Sequence, residues 1–451
     1  MFPIHLAESS GSGSGYKPEH MKDIRQYSFL PHATEEQISG MLARGILEIA
    51  EHWYAGIPGL DIQKSITDGF IGSIIAKMSS DGFQVIEPTL KSITLPFLSG
   101  REKTSNVNNY DADYIFEIDE ITLVFFYERE KKVFATLFNW ETEEIVETYI
   151  FPVEASQSGI YHVERLSLDL FAYSAANVSG VPQLVNILRL TPEKIEDVGN
   201  VTLPTDVKFT VCSVAISPNM KQIVMARSDP ARLTLAELDD SLVLHETGEL
   251  NAALLMIGDR ATVDNVKFIS EDVFAFSWTA NNTDDVARYS GIGFYSISEE
   301  KILLDYPVSI KGIISSGNKI FTVDNASSST VEKSNSIRVL DETEKQSLGA
   351  WYFASGYQNI YPSYLGDYFF IRIFGHRSAP TPFYFTRYSL EDQAWDKEVW
   401  MVPDPVTYNN SPPKTRSIDF VTASSFHNRF YMLALDGQKT VLNVVQHPNP
   451  Q

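Results

Sequence analysis

The sequence predicts an all-β propeller of seven four-stranded blades, preceded by a small α-helical hairpin. Three observations support this fold class. From residue 83 onward, apolar residues tend to recur with a period of two, which is typical of strands. A pair of strands joined by a short acidic turn recurs about every 50 residues, roughly the length of one four-stranded blade. The final repeat stops after its third strand, so a closed ring needs a strand from elsewhere.

The predicted propeller occupies residues 83–451, and two shorter segments precede it. Residues 1–20 contain a run, residues 8–15, in which serine and glycine alternate. That composition is typical of a flexible linker, either natural or introduced as a joint. Residues 21–82 form the second segment, whose apolar residues follow a helical period. We therefore expect a linker, a helical hairpin and one large β domain.

The first helix of the hairpin is predicted over residues 34–54. Thr34 and Gln37 stand at the spacing of a capping box, in which each side chain bonds a free backbone N–H of the first turn. A second helix is predicted over residues 61–78, and the polar run 79–82 ends it. The two apolar stripes consist of Ile38, Met41, Leu42, Ile46, Ile49, Ala50 and Trp53, and of Ile62, Ile66, Phe70, Ile71, Ile74, Ile75 and Met78. Both stripes need cover, from the propeller or from a partner.

Seven anchor positions mark the repeats of the predicted propeller. They are Trp140, Leu190, Leu238, Ile297, Leu340, Leu390 and Val445. Six of them precede or enter an acidic turn and a further strand, whereas the last strand, 440–445, has no strand after it. We expect residues 92–97, just after the helices, to pair with 440–445 and complete the seventh blade.

Part of the third repeat resembles a known family. The run from Val214 to Ala226 is similar to the inner strands of a WD-repeat blade, and Val266 to Ser270 repeats that pattern. The run from Asn139 to Thr142 is similar to the position where that family carries its Trp-Asp pair. The resemblance extends over roughly residues 85–446 and implies a propeller. Most repeats carry Leu or Ile at the Trp-Asp position, so membership of the family is not predicted.

The net negative charge of the chain indicates which classes of partner it is expected to bind. The chain has 36 basic and 58 acidic residues, a formal net charge of −22. A strongly acidic protein lacks the cations that bind nucleic-acid phosphates or anionic membranes, so neither is an expected partner. We expect instead a protein partner with a basic surface. No apolar run approaches ~20 residues and the N-terminus does not resemble a secretory signal, which predicts a cytoplasmic or otherwise intracellular protein.

The sequence contains no recognisable catalytic motif. It lacks the His-Glu-x-x-His zinc motif, the glycine-rich phosphate loop and the Gly-x-Ser-x-Gly elbow, so no catalytic, cofactor-binding or metal-ligating residue is predicted. The one cysteine, Cys212, lies in an apolar run and is expected to be buried and unreactive. One acidic cluster suits a hard cation, but a solvated strand face is the favoured interpretation. That cluster consists of Asp111, Asp113, Glu117, Asp119 and Glu120.

Candidate partner-binding residues come from the hairpin and from one unusually aromatic repeat. They are Ile38, Met41, Leu42, Trp53, Tyr361, Tyr364, His376 and Arg377. In order and spacing, Leu30-Pro31, Ile38 and Leu42 with Trp53 resemble an F-box. That resemblance implies a substrate-recognition adaptor of a ubiquitin ligase.

The favoured function is a non-enzymatic protein-interaction scaffold, in which the propeller presents its loops and the hairpin docks a second partner. Two other classes stay open. A structural component of a viral tail or secretion assembly would copurify as a ring or fibre. A propeller hydrolase would bring three or more carboxylates or histidines together at the channel mouth.

Overall fold

A computed structural model describes most of the chain from residue 79 onward. The described residues are 79, 82–98, 114–129, 132–154, 160–175, 184–203, 211–228, 231–250, 261–281, 288–307, 310–316, 319–324, 336–340, 345–350, 360–365, 367–374, 383–392, 394–402, 420–436 and 439–449. The linker and both predicted helices therefore lie outside the described residues. Ser79 has helical backbone conformation, and the chain turns at Gly82, whose φ is 88°.

The described strands form seven sheets. Two strands come first in the chain, β1 (Gln84–Ile86) and β2 (Thr89–Thr94). Blade 1 contains β3 (Tyr114–Glu117), β4 (Thr122–Arg129), β5 (Lys132–Asn139) and β6 (Glu144–Glu154). Blade 2 contains β7 (Ile160–Arg165), β8 (Leu170–Ala175), β9 (Leu184–Leu190) and β10 (Ile195–Thr202). Blade 3 contains β11 (Val211–Ile216), β12 (Gln222–Ser228), β13 (Ala231–Leu238) and β14 (Leu244–Leu250).

The remaining blades follow the same order. Blade 4 contains β15 (Ala261–Phe268), β16 (Val273–Asn281), β17 (Arg288–Ser296) and β18 (Lys301–Pro307). Blade 5 contains β19 (Ile310–Ser316), β20 (Lys319–Asp324), β21 (Ser336–Leu340) and β22 (Lys345–Ala350). Blade 6 contains β23 (Ile360–Pro362), β24 (Tyr368–Phe374), β25 (Phe383–Ser389), β26 (Ala394–Trp395) and β27 (Glu398–Val402). Blade 7 contains β28 (Phe420–Ala423), β29 (Arg429–Asp436) and β30 (Lys439–Gln446).

The predicted closure of the ring is confirmed. The order of the seventh sheet is β2-β30-β29-β28, so the N-terminal strand β2 is the fourth strand of blade 7. Ser92 pairs with Asn443 and Thr94 with Val441 in antiparallel register. The strand begins at Thr89, three residues before the predicted start. The sequence did not predict β1, which pairs in parallel with β27 and extends blade 6 outward.

The recurring pair of strands with an acidic turn is the outer half of a blade, and blade 7 differs because its fourth strand is β2. Those turns join the third strand to the fourth in blades 1 to 4, and Glu143, Leu242 and Glu300 adopt positive φ there. In blade 3, the Asp239 carboxylate accepts hydrogen bonds from the backbone amides of Ser241 and Val243. Short polar residues are common in such turns because they bond neighbouring amides.

The hydrophobic core lies in layers between neighbouring blades. Along β4, Phe125 packs in a cluster with blade 7, whereas Phe126 packs in a cluster with blade 2. Equivalent layers join blades 2 and 3, blades 3 and 4, and blades 6 and 7. Because successive side chains of a strand point to opposite faces and both faces are covered, β4 is apolar almost throughout.

The architecture collects two sets of turns on one face of the ring. In a four-stranded antiparallel sheet, the turn after the first strand and the turn after the third strand lie at the same end. Backbone hydrogen bonds join the two, from Trp140 N to Ile121 O in blade 1 and from Ile297 N to Asp272 O in blade 4. We call this end the turn face. Within the described part of the chain, no helix has the length and apolar character needed to cross a membrane.

Candidate functional site at the channel mouth

A buried carboxylate ties blade 1 to blade 7 at the turn face. Glu117, the last residue of β3, accepts hydrogen bonds from Ser424 Oγ at 2.5 Å, Tyr431 OH at 2.7 Å and the Ser425 backbone amide at 2.6 Å. The side chain is 3% exposed. Burial raises the pKa of Glu117 above its ordinary value, and these three donors oppose the rise because they stabilise the charged form. The prediction of a solvated strand face was therefore wrong for Glu117.

An arginine carries the connection on to blade 2. Arg165 ends β7, and its Nη1 donates to the Glu117 carbonyl oxygen at 2.7 Å. Its Nη2 and Nε donate to the carbonyl oxygens of Leu168, at 2.5 Å, and Ser167, at 3.2 Å. The planar guanidinium thus has a carbonyl oxygen on each of its three nitrogens. Burial lowers the pKa of Arg165 to about 10.

Blade 6 reaches the same arginine from the other side of the ring opening. The guanidinium carbon of Arg165 lies 4.0 Å from the centre of the Tyr364 ring. The Tyr364 backbone amide donates to Ser425 Oγ at 2.9 Å, which fastens this turn to blade 7. Because blades 7 and 1 separate blade 6 from blade 2, the stack crosses the mouth of the central channel. We call Glu117, Arg165, Tyr364, Ser424 and Tyr431 the anchor cluster.

A second charged pair lies on the channel side of blades 2 and 4. Glu164 and Lys267 occupy equivalent positions, each one residue before the end of a first strand. The equivalent residue of the intervening blade 3 is Ala215, which is small enough to let the two charges interact. Burial raises the pKa of Glu164 to about 7 and lowers that of Lys267, and each charge opposes the other's shift. In the described part of the chain, Glu164 Oε2 has no hydrogen-bond partner.

Three large apolar side chains are exposed around the anchor cluster. Leu168, Leu365 and Phe426 are 53%, 50% and 40% exposed, and they lie in the first turns of blades 2, 6 and 7. Each is adjacent to the anchor cluster. Arg165 bonds the Leu168 carbonyl oxygen. Leu365 follows Tyr364 in sequence and Phe426 follows Ser425, the two residues that a hydrogen bond joins. We call these three residues the mouth patch.

Carboxylates surround the mouth patch. The described turns of this face carry Asp119, Glu120, Glu141, Glu143, Asp169, Glu193, Asp239, Asp240, Glu271, Asp272, Glu299, Glu300, Asp367, Glu391 and Asp392. The same turns carry the lysines Lys194 and Lys221. We call these carboxylates the acidic rim. Some of these carboxylates accept hydrogen bonds from amides of their own turn. The pKa of Asp239 is held low by hydrogen bonds from the Val243 amide and His245. Most are exposed, so the face presents apolar side chains inside a negative border.

The structure places two of the residues proposed for partner binding. Tyr364 lies half-buried in the anchor cluster, as described above. Tyr361 is also half-buried but packs against the core between blades 6 and 7, with its ring 6.3 Å from that of Phe385. The proposed residues Ile38, Met41, Leu42, Trp53, His376 and Arg377 lie outside the described residues, as does the Cys212 side chain. Cys212 itself stands at an irregularity in the pairing of β11 with β12.

Four residues at this mouth were not predicted from the sequence: Glu164, Arg165, Lys267 and Ser424. A signal was present, because aligning the repeats on the turn after the first strand brings Glu117 and Arg165 to equivalent positions, as it does Glu164 and Lys267. Charged residues at the ends of apolar strands in several repeats indicate a shared polar layer. In the described residues, no three histidine, cysteine, aspartate or glutamate side chains are grouped as metal ligands would be.

No protein-family model matches the chain, and no curated protein matches it in sequence. Solved structures match in fold. The β-propeller domain of Swd1 from Myceliophteria thermophila has 9% identity and a TM-score of 0.45, over 75% of this chain and 98% of that one. Hydrazine synthase from Kuenenia stuttgartiensis has 10% identity and a TM-score of 0.42, over 76% and 98%. The propeller domain of the Trilobed protease from Pyrococcus furiosus has 11% identity and a TM-score of 0.37, over 63% and 79%. The fold assignment rests on the strand order and not on these scores.

Proposed function

We propose that the chain is a protein-interaction propeller that binds a protein partner through its turn face. The observation that carries this proposal is the mouth patch, three exposed apolar side chains on a base that hydrogen bonds hold rigid. Interfaces commonly combine a central apolar anchor with a polar border. A rigid base favours binding because little conformational freedom is lost on association.

The chemistry of the face suggests the kind of partner. The acidic rim attracts lysine and arginine and repels nucleic acid and anionic lipid. The expected partner surface therefore combines basic residues with apolar side chains that fit over Leu168, Leu365 and Phe426. With a net charge of −22, the whole chain adds to the attraction at long range. An intracellular protein partner remains part of this proposal.

A matched pair of triple variants tests the proposal. Leu168→Ser, Leu365→Ser and Phe426→Ser remove the mouth patch, whereas Ile145→Ser, Val146→Ser and Ile150→Ser remove three equally exposed apolar residues from the outer strand β6. Partners captured by each full-length variant are compared by quantitative mass spectrometry at 0.1 and 0.5 M salt. We expect a basic protein whose capture falls at least tenfold with the mouth variant and with salt. Equal capture by both variants would refute the mouth patch as the binding surface.

The adaptor role is a finer proposal that rests on the N-terminal segment. Its F-box-like residues, Leu30-Pro31, Ile38, Leu42 and Trp53, lie outside the described residues. The experiment that separates a bare scaffold from an adaptor is capture with Ile38→Asp and Leu42→Asp. An adaptor loses a ubiquitin-ligase subunit from its captured partners while the partner of the turn face stays bound.

A further inference from the structure

The chain enters the outer edge of blade 6 from the side of the turn face. Gln84 begins β1 and pairs with Glu398, the first residue of β27, and the Gln84 amide donates to the Lys397 carbonyl oxygen at 2.8 Å. The fourth strand of blade 6 starts at the turn face with β26 and continues into β27, and β1 runs parallel to β27, so the chain before Gln84 comes from the side of the turn face. Phe83, just before it, is buried with the Lys397 ammonium 4.5 Å from its ring centre. The preceding chain therefore reaches the outer edge of blade 6 from the side of the turn face.

The geometry puts the second predicted helix within reach of the mouth patch. Blade 6 has the strand order β1-β27-β25-β24-β23, and four spacings of ~4.8 Å place its inner strand about 19 Å from β1. Residues 61–78, as an 18-residue helix, would be ~27 Å long. Ser79 is in helical conformation and Gly82, with positive φ, ends the turn that follows, which is where the sequence predicts this helix to stop.

The chemistry of the two surfaces is complementary. The predicted helix carries an apolar stripe that needs cover, and the mouth patch is apolar, exposed and within the length of that helix from its C-terminal end. Residues 61–78 hold two lysines and two aspartates, Lys64, Lys77, Asp61 and Asp68, so the acidic rim does not repel them as a group. Residues 34–54 hold four glutamates and one arginine, so the rim repels the first predicted helix.

We propose that residues 61–78 of this same chain occupy the mouth patch, with their apolar stripe over Leu168, Leu365 and Phe426. The inference goes beyond the proposed function, because it assigns an occupant to the patch in the free chain. A partner that binds the patch must displace this segment, and its apparent affinity is reduced by the fraction of chains in which the patch is covered.

Cross-linking in the purified full-length chain tests the contact without any partner. In a Cys212→Ser background, Ser73→Cys, beside the apolar stripe, is paired with Leu365→Cys or with Ile150→Cys. Leu365 and Ile150 are both 50% exposed, but Ile150 lies on the outer strand of blade 1. With a short bismaleimide we expect the Leu365 pair to form an intramolecular cross-link at least ten times faster than the Ile150 pair.

A second substitution controls for chance proximity along the tether. Ile74→Asp places a charge in the stripe, and we expect it to abolish the difference between the two pairs and to speed maleimide labelling of Leu365→Cys alone. Equal cross-linking of both pairs, or cross-links that join two chains and disappear on dilution, would overturn the inference. Because no partner is present, these results are independent of the capture experiment for the proposed function.

Discussion

Glu117 ends β3 and Glu120 lies three residues later in the following turn, and the two carboxylates have different surroundings. Glu117 is buried and accepts three hydrogen bonds from blade 7. Glu120 is exposed, and its Oε2 lies 3.1 Å from His427 Nε2 in a contact that is open to solvent. The same contrast separates the anchor cluster from the acidic rim. The one carboxylate of the cluster, Glu117, joins two blades, whereas most carboxylates of the rim are exposed to solvent. Four predictions test this contrast, from the largest expected effect to the smallest.

Removing the buried carboxylate should have the largest effect. Glu117→Ala leaves Ser424 Oγ, Tyr431 OH and the Ser425 amide without their acceptor in a buried site. We expect a loss of about 3 kcal/mol or more in the free energy of unfolding, measured by urea denaturation. Glu120→Ala is the control and should change it by less than ~0.5 kcal/mol. Similar losses for both would show that burial does not separate the two roles.

Replacing Arg165 should cause the next largest loss in the free energy of unfolding, even when lysine keeps the positive charge. Arg165→Lys keeps the positive charge but cannot supply the fork that bonds three carbonyl oxygens and stacks on Tyr364. We expect a loss of about 2–4 kcal/mol by the same measurement. Arg189, whose ion pair with Asp169 is exposed, is the control, and Arg189→Lys should cost almost nothing. Full rescue by lysine would reduce the role of Arg165 to charge alone.

The free energy of unfolding should depend on pH in a way that reflects the buried pair Glu164 and Lys267. The folded pKa of Glu164 is raised from 4.5 to about 7, so the folded state binds the proton more tightly than the unfolded state. The contribution of Glu164 protonation to the free energy of unfolding is therefore fully present below about pH 4.5, and it is lost as the pH rises through about 7. We expect Glu164→Gln to flatten the stability profile between pH 5 and 7.5 by roughly 2 kcal/mol. An unchanged profile would show that this carboxylate titrates normally.

Charges of the rim should leave stability almost unchanged. We expect Glu193→Lys with Glu391→Lys to shift the urea midpoint little, because both side chains are exposed. Capture of a basic partner should fall several-fold, and raising the salt from 0.1 to 0.5 M should remove most of the difference from the unaltered chain. A large loss of stability would place these carboxylates with the anchor cluster instead.

Local patterns predicted the blades well. Alternating apolar strands, acidic turns and a repeat of about 50 residues depend on neighbours within one hairpin, so they are visible in order along the chain. The closure of blade 7 also followed from counting, since a third strand such as β30 leaves a free edge that a ring must cover. The short strand β1 was missed, because three residues, Gln84–Ile86, carry no recognisable period.

The candidate site was harder to predict. Tyr364 was chosen for its aromatic surroundings, and it is the described candidate that lies in the anchor cluster. The sequence predicts a solvated Glu117, because a carboxylate at the end of a strand is usually exposed. Arg165 was not predicted as a site residue, because the carbonyl oxygens it bonds are backbone atoms and its stacking partner Tyr364 lies about 200 residues away in sequence.

The sequence by itself determined the strands, the turns, the number of blades and the strand that closes the ring, because each depends on local spacing or on the pairing of backbone edges. Only the tertiary structure decided which charges are buried and which are free. Closing the ring brings Glu117, Arg165 and Tyr364 of blades 1, 2 and 6 to one channel mouth, where neighbouring blades exclude water. Burial and partners, rather than residue type, then decide whether a carboxylate joins blades or faces solution.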